Sequence, residues 1–161
     1  MVEIGDHPIL WHIMKSYAHF GYKEFIICLG YKGQSIKDFF LNYEAFTRDF
    51  TISFGDKSKI KYHNKHNGPN WNITLADTGL RSMTGSRISR IKQYLDNEDF
   101  MLTYGDGVSD IDVQKLIDFH NSHKKILTVT GVRPPGRFGE MNSDSSGQVL
   151  EFNEKPQAHA G

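Results

Sequence analysis

Hydrophobic positions in the first part of the chain follow two patterns, one typical of helices and one typical of buried strands. Between residues 9 and 20 the apolar side chains recur at helical spacing, and Gly21 ends this run. A strand is predicted over residues 24–29, because residues 25–29 are continuously apolar, as expected of a parallel strand that is covered on both faces. A second amphipathic helix is predicted over residues 34–43. Helix, strand and helix in this order indicate an α/β protein built from βαβ units.

The same reasoning predicts the remaining elements. Further strands are predicted over residues 49–54, 60–62, 71–76, 100–103, 125–132 and 148–152. Further helices are predicted over residues 86–95 and from residue 112 onward. On the first of these helices Ile88 and Ile91 face inward, which places Arg87 and Arg90 on the opposite side. Pro8 suits the first position of the first helix, and Ser109 and Asp110 suit the N-terminus of the last one.

One strand end is chemically distinctive. After the apolar residues 100–103 the chain continues Tyr104-Gly-Asp-Gly107 and then enters a helix. Ligands of open α/β sheets bind at the carboxyl ends of strands, and glycines allow a bulky ligand to approach the backbone. Asp106 supplies hard oxygen ligands of the kind that Mg²⁺ prefers. An ordinary strand-to-helix turn explains the same residues equally well, because Gly-Asp-Gly is common in turns.

Composition narrows the class of protein. The chain has 161 residues, enough for one domain, with 38% hydrophobic and 24% charged residues. Basic and acidic residues number 19 each, so charge gives no argument for nucleic acid or an anionic membrane. The single cysteine, Cys28, lies in an apolar run and is expected to act as a small buried hydrophobe. With no signal segment and no membrane span evident, we expect a cytoplasmic protein.

Several kinds of catalytic site are not indicated. Two His-x-x-His pairs, at 63 and 66 and at 120 and 123, lack the further ligands that zinc requires. There is no Gly-x-Ser-x-Gly nucleophile, no phosphate-binding loop of the Walker type and no Gly-x-Gly-x-x-Gly fingerprint. Covalent catalysis, P-loop chemistry and dinucleotide redox chemistry are therefore disfavoured.

Three other segments have residues suited to anions, each with an ordinary structural alternative. Thr84-Gly-Ser-Arg87 has hydroxyls and a guanidinium at a helix start, which suits a nucleotide base or phosphate, although taken alone an ordinary capped helix with a surface arginine explains it better. Arg137-Phe-Gly139 is similarly ambiguous. Glu154-Lys155 could hold a sugar hydroxyl and a phosphate, or could be a solvated strand end. Asp110 and Asp112 are better explained as acids at a helix N-terminus than as metal ligands.

The order of these segments resembles one known family. Thr103-Tyr-Gly-Asp-Gly-Val-Ser-Asp110 and Pro134-Pro-Gly-Arg-Phe-Gly139 are fairly specific to the glucose-1-phosphate cytidylyltransferases, a branch of the sugar-phosphate nucleotidyltransferases. The resemblance covers essentially the whole chain and also includes residues 2–15, 25–33, 77–79, 82–85 and 154–156. It implies a Rossmann-like α/β nucleotidyltransferase fold with a mixed, mainly parallel sheet, of which residues 1–161 are one partial domain.

The resemblance also implies a reaction and its site. CTP and α-D-glucose 1-phosphate would give CDP-glucose and pyrophosphate, the product serving bacterial surface polysaccharide synthesis such as that of O-antigen. Positioning and neutralisation of charge would carry the catalysis, without a side-chain nucleophile. The matching positions are Asp106 for Mg²⁺ and catalysis, Thr84, Arg87 and Gly105 for the nucleotide, and Gly139, Glu154 and Lys155 for the sugar phosphate, with Lys155 also catalytic.

Two alternatives remain open at this point. One is a sister enzyme that uses UTP or dTTP, and the other is a non-catalytic homologue that binds a sugar nucleotide. Retention of Asp106, Arg87 and Lys155 disfavours the second, because a regulatory descendant has no need of a metal-binding aspartate. Relatives also assemble, so the full-length protein is expected to be a homo-oligomer.

The chain departs from the family pattern at both ends. The glycine-rich loop that cradles the triphosphate in the family would precede Met1, and the second Mg²⁺ aspartate would follow the last residue. We therefore predict that these 161 residues alone turn over CTP poorly or not at all. A coupled assay of pyrophosphate release checks this, and near-normal turnover by the 161-residue chain would contradict it.

Overall fold

The structure is a computed structural model, and it describes residues 2–55, 59–63, 68–132 and 139–153. Contacts between Cα atoms divide the chain into two compact units, Met1–Lys115 and Leu116–Gly161. Strands and helices are both present, which agrees with the predicted α/β class. Within the described ranges, no helix combines the length and the apolar character needed to cross a membrane.

The elements follow in this order along the chain. The strands are β1 (Glu3–Ile4), β2 (His7–Pro8), β3 (Glu24–Leu29), β4 (Phe50–Ser53), β5 (Lys59–Tyr62), β6 (Asn72–Asp77), β7 (Glu140–Ser143) and β8 (Val149–Asn153). The helices are α1 (Ile9–His19), α2 (Gly33–Leu41), α3 (Tyr43–Thr47), α4 (Thr84–Arg90) and α5 (Val113–His123), with a 3₁₀ turn at Lys92–Tyr94. Most bounds lie within two residues of those predicted from the hydrophobic pattern.

The parallel pair β3–β6 is the centre of the first unit. The two strands pair in register from Glu24 opposite Asn72 to Leu29 opposite Asp77. Leu29 and Ala76, near their carboxyl ends, are buried. The other buried apolar side chains among the described residues of this unit are those of Ile13, Met14, Ile91 and Val113. The core is therefore small, and it adjoins the end of the strand pair at which ligands bind in α/β proteins.

Aromatic side chains join the first helix to this strand pair. The ring of Trp11 on α1 lies 5.7 Å from that of Trp71, which in turn lies 5.6 Å from the ring of Phe25. Pro8 was predicted to be the first residue of α1. In the structure it is the N-cap and precedes the helix. The reason is that Pro8 pairs with Glu3 in the β1–β2 ladder, which keeps its backbone extended.

The sheet differs from the one predicted. The strands within the described residues form four separate pairs, and β3–β6 alone is parallel. The predicted strands over residues 100–103 and 125–132 do not form. Leu102 and Ile126 expose 60% and 102% of their surface, so neither segment is covered. Apolar and β-branched residues favour a strand only when a neighbouring strand accepts their backbone hydrogen bonds, and neither segment is paired with a described strand.

The second unit contains a hairpin and a histidine cluster. Strands β7 and β8 pair antiparallel around a turn in which Asp144 accepts hydrogen bonds from three following groups. The hydroxyl of Thr128 lies 2.7 Å from Nδ1 of His120 and 2.8 Å from Nε2 of His123. Both histidines are thus engaged with the same hydroxyl.

Removal of a core side chain from the strand pair should destabilise the protein. Leu29 is 2% exposed, so Leu29→Ala is expected to lower the free energy of unfolding by about 2–5 kcal/mol, as for other buried leucines. Leu41→Ala is the matched control because Leu41 is 77% exposed. Urea unfolding followed by circular dichroism measures both. Equal shifts of the two midpoints would contradict this assignment of the core.

Candidate functional site

The carboxyl ends of β3 and β6 lie side by side because the two strands are parallel and in register. Leu29 and Asp77 end the two strands opposite each other, and Thr78 follows directly. The backbone N–H of Thr78 donates to the carbonyl oxygen of Leu29 at 3.0 Å. The ladder thus continues one step past β6 and fixes Thr78 at the edge where ligands of α/β proteins bind.

Thr78 is the most buried polar residue at this edge, with 1% of its surface exposed. Its hydroxyl donates to the carbonyl of Leu29 at 2.8 Å and accepts from Nη1 of Arg87 at 2.7 Å. Its carbonyl accepts from the Ser82 hydroxyl and, at 2.9 Å, from Nη1 of Arg90. One buried residue therefore connects the strand ends to both arginines of α4.

Arg87 reaches across the strand ends instead of pointing away from the core. Its Nη1 also donates to the carbonyl of Leu29 at 2.9 Å, and the residue is half-buried. The helical pattern placed Arg87 opposite Ile88 and Ile91, so that prediction was wrong. A carbonyl oxygen has two lone pairs, so the Leu29 carbonyl can accept the charged guanidinium in addition to the N–H of Thr78.

Glycines make room for the two guanidinium groups. A Cβ atom built at Gly30 would lie 2.5 Å from Nη2 of Arg87, too close for any real side chain. At Gly79, where φ is +88°, a Cβ atom would lie 2.7 Å from Nη1 of Arg90. The amide of Gly79 donates to the side chain of Asp77 at 2.9 Å, which holds the turn. Larger residues at these two positions would displace the arginines.

An open depression of about 370 Å³ lies beside this edge. It is lined by two arginines and two serines together with a glycine and a methionine, namely Gly79, Arg81, Ser82, Met83, Ser86 and Arg90. Thr84, a predicted nucleotide-binding residue, is exposed at the first position of α4 next to this depression. Thr84 and Arg87 lie three positions apart on α4, and Arg87 hydrogen-bonds to the end of the strand pair.

The Asp106 loop forms a tight turn on the surface. Gly105 and Asp106 are both exposed, and the loop follows an irregular segment instead of the predicted strand. A Cβ atom at Gly105 would lie 3.7 Å from Cδ1 of Leu10, and one at Gly107 would have nothing within 4 Å. The loop therefore lies beside the start of α1 and is open on its other side.

The donor chemistry of this loop suits magnesium. An exposed carboxylate beside open space can bind Mg²⁺, which is commonly held by one or two carboxylates together with substrate phosphates and water. A complete protein cage of three or more His, Cys, Asp or Glu side chains is not found among the described residues. Asp106 would thus contribute one ligand, and the nucleotide phosphates would contribute others.

Helix α5 begins at Val113, one residue after the predicted start. Ser109 and Asp110 precede the helix, and Asp112 lies directly before its first residue. The side chain of Asp112 accepts the backbone N–H of Lys115 at 3.1 Å and lies 3.5 Å from its ammonium group. The backbone hydrogen bond is the main reason that the pKa of Asp112 lies below its ordinary value. This confirms Asp112 as an acid of the helix N-terminus.

The sugar-phosphate positions are described only in part. Gly139 is half-buried directly before β7, in the second unit. Glu154, Lys155 and the arginines of the residue 133–138 segment lie outside the described residues. Their roles remain predictions from the resemblance.

Sequence reasoning missed Thr78 and Gly30 as parts of the site. Both lie in segments that the resemblance included, Asp77-Thr-Gly79 and the turn that follows β3. A polar residue directly after an apolar strand, next to a glycine, was the available signal for Thr78. The contact between Gly30 and Arg87 had no such signal, because 57 positions separate them in the sequence.

Comparison with known proteins gives consistent matches. A family model described as nucleotidyl transferase matches residues 1–161. The glucose-1-phosphate cytidylyltransferase of Salmonella typhi is 51% identical over 158 residues, which are 98% of this chain and 60% of that relative. The probable glucose-1-phosphate cytidylyltransferase of Bacillus subtilis (strain 168) is 40% identical over 155 residues, covering 96% of this chain and 59% of the relative.

A more distant relative has another substrate in its name. The mannose-1-phosphate guanylyltransferase catalytic subunit beta of Dictyostelium discoideum is 24% identical over 164 residues, covering 100% of this chain and 40% of that protein. The chain spans about 60% of the length of the cytidylyltransferases that it matches. These matches confirm the family resemblance that the motifs indicated.

The position of Arg87 can be tested through its neighbour Cys28. Burial raises the pKa of the Cys28 thiol above its ordinary value, and the positive charge of Arg87 opposes part of this shift. Because the thiolate is the reactive form, Arg87→Met should raise this pKa further and slow alkylation by iodoacetamide at pH 9. Arg90→Met is the matched control, because Arg90 lies on the same helix and is not among the causes of the shift.

The raised pKa of the Cys28 thiol also makes the stability of the protein depend on pH. A thiol whose folded pKa exceeds its unfolded pKa stabilises the protein fully below the unfolded value, and this contribution is lost as pH rises towards the folded value. The free energy of unfolding should therefore fall above about pH 9, and less so in Cys28→Ser.

In the alkylation experiment, identical profiles for the Arg87→Met and Arg90→Met variants would show that Arg87 is not near the thiol.

Proposed function

Because the chain belongs to the nucleotidyl transferase family, we propose that it is part of a glucose-1-phosphate cytidylyltransferase. This enzyme transfers a cytidylyl group from CTP to α-D-glucose 1-phosphate and gives CDP-glucose and pyrophosphate. The observation that carries the proposal is the sequence similarity to cytidylyltransferases from two bacteria, which are 51% and 40% identical to this chain over nearly its whole length. Residues 1–161 would form part of one nucleotidyltransferase domain of a longer protein.

The proposed reaction is an in-line displacement at the α-phosphorus of CTP. An oxygen of the sugar phosphate forms a new bond to this phosphorus, and the bond to the β-phosphate bridging oxygen breaks as pyrophosphate leaves. The protein has to align the attacking and leaving oxygens and to neutralise the charge on the phosphates. No side chain has to become covalently attached, which agrees with the lack of a nucleophile motif in the sequence.

Residues near the end of the strand pair would bind the nucleotide. Arg87 is fixed there by hydrogen bonds to Leu29 and Thr78, and its positive charge suits an acceptor pair of the nucleotide. Thr84 and Gly105 would contact the same ligand, the first by its hydroxyl and the second by permitting close approach. Asp106 would hold Mg²⁺, which supplies neutralisation of phosphate charge when it is bound.

The remaining roles rest on the resemblance. Gly139, Glu154 and Lys155 would hold the sugar phosphate, with the Lys155 ammonium neutralising charge on the reacting phosphates. We further propose a cytoplasmic location, because sugar phosphates and nucleoside triphosphates are made there. Assembly into a homo-oligomer is proposed on the same basis, and light scattering of the full-length protein would test it.

Calorimetry with the 161-residue chain tests the nucleotide and metal assignments together. CTP should bind in the presence of Mg²⁺, and UTP and dTTP should bind more weakly. Asp106→Asn should remove most of the Mg²⁺-dependent part, a loss of about tenfold or more in affinity, because the amide carries no charge for the ion. Asp110→Asn is the control, because Asp110 lies nearby in the sequence but was not assigned to the metal.

Other outcomes support the alternatives. Stronger binding of UTP or dTTP than of CTP would indicate a sister nucleotidyltransferase. Tight binding of CDP-glucose that is indifferent to Mg²⁺ and to Asp106→Asn would indicate a non-catalytic homologue that binds sugar nucleotides. Equal loss of affinity in the Asp106 and Asp110 variants would contradict the specific role of Asp106.

A further inference from the structure

We propose that Thr78 is a positioning residue: with the bare backbone of Gly30, it holds Arg87 by Nη1 and directs the Nε–Nη2 edge towards the nucleotide. Holding the guanidinium is a property of the described contacts alone. The further step, that the Nε–Nη2 edge of Arg87 binds the nucleotide, rests on the function proposed above. Thr78 would therefore influence nucleotide affinity through Arg87 without touching the ligand.

The hydroxyl of Thr78 has its hydrogen-bonding roles fully assigned. It has one hydrogen, which goes to the carbonyl of Leu29 at 2.8 Å, so it acts only as an acceptor towards Arg87. Thr78 is 1% exposed, and its backbone N–H is bound to the same carbonyl. The hydroxyl therefore points in one direction, and solvent does not compete for it.

Nη1 of Arg87 has two hydrogens, and two acceptors take them. These are the carbonyl of Leu29 at 2.9 Å and the hydroxyl of Thr78 at 2.7 Å. Nε and Nη2 donate no hydrogen bond to any residue in the described ranges. Nε and Nη2 form the edge of a guanidinium that binds two adjacent acceptors in parallel, as in phosphate recognition.

The charge of Arg87 lacks a counter-charge in the described part of the chain. Ion pairs there join Arg48 to Glu44 and Lys115 to Asp112, and neither involves Arg87. Asp77, which ends β6 directly before Thr78, uses its side chain to accept the amide N–H of Gly79. Because partly buried charges are normally paired, an anionic or strongly accepting ligand is the expected partner for Arg87.

Gly30 is needed for this arrangement. A Cβ atom at this position would lie 2.5, 2.7 and 2.9 Å from Nη2, Nη1 and Cζ of Arg87. Gly30→Ala should therefore displace the guanidinium while leaving the hydroxyl of Thr78 in place. The backbone of Gly30 does not have a positive φ, so alanine brings no backbone strain of its own. The substitution thus isolates the position of Arg87.

The first measurement observes Arg87 directly. In ¹⁵N-labelled chain, the Nη1 hydrogens of Arg87 should give resolved, slowly exchanging signals, assigned by their loss in Arg87→Met. Thr78→Val removes the hydroxyl at nearly constant volume and should abolish the signal of the hydrogen that this hydroxyl accepts, whereas Thr78→Ser should retain both signals. Thr74→Val is the matched control, because Thr74 is half-buried on β6 and its hydroxyl makes no hydrogen bond to the described residues.

The second measurement is the affinity for ligands in the presence of Mg²⁺. Thr78→Val and Gly30→Ala should each weaken binding of CTP about tenfold, corresponding to about 1.4 kcal/mol, with Thr78→Ser, Thr74→Val and Gly55→Ala nearly unchanged. Cytidine and pyrophosphate are titrated separately. If Thr78→Val weakens the binding of cytidine, Arg87 contacts the base. If it weakens the binding of pyrophosphate, Arg87 contacts the phosphates. Urea unfolding shows whether each variant is folded, and Gly30→Ala replaces Thr78→Val if the latter is not.

The outcomes separate the two proposals. Two unchanged Arg87 signals in Thr78→Val would overturn the positioning role. Lost signals with unchanged CTP affinity would overturn the link to the nucleotide. If the unmodified chain bound none of CTP, UTP, dTTP and pyrophosphate, the proposed function would fail for this chain, and the Arg87 signals would still decide the positioning role.

Discussion

Most of the candidate site depends on one backbone carbonyl, that of Leu29 at the end of β3. It accepts the N–H and the hydroxyl of Thr78 and one N–H bond of Arg87. A carbonyl at the end of a parallel strand has no further ladder partner, and a buried acceptor without partners is costly. The residues that satisfy it are therefore held tightly, and they include the guanidinium of Arg87.

This constraint links the small core to function. Leu29 and Thr78 are among the most buried residues of the first unit, and they also hold the arginines of α4. The helix itself has only seven residues and no side-chain cap, so its own hydrogen bonds define it weakly. The contacts of Arg87 and Arg90 with the strand ends supply much of its attachment. Stability and ligand binding should therefore be coupled at this edge.

Hydrophobic patterns predicted an element correctly where its surroundings in the fold favour the same secondary structure as its own sequence. The run at residues 24–29 and the alternation at 71–76 predicted β3 and β6 to within one residue, and Asp112 was recognised as a helix N-terminal acid. The strands predicted at residues 100–103 and 125–132 were wrong. Their composition is that of strands, but a strand exists only where a neighbour completes the ladder, which composition does not report.

The sequence by itself determined the family, the α/β class and the residue types of the site, because motif order and hydrophobic period are properties of the linear chain. Only the tertiary structure decided where Arg87 points and that Thr78 and Gly30 hold it. A helical period places Arg87 on the polar face, whereas acceptors 58 and 9 positions away draw it to the strand ends. Such contacts arise from the parallel register of β3 and β6, which brings distant residues together.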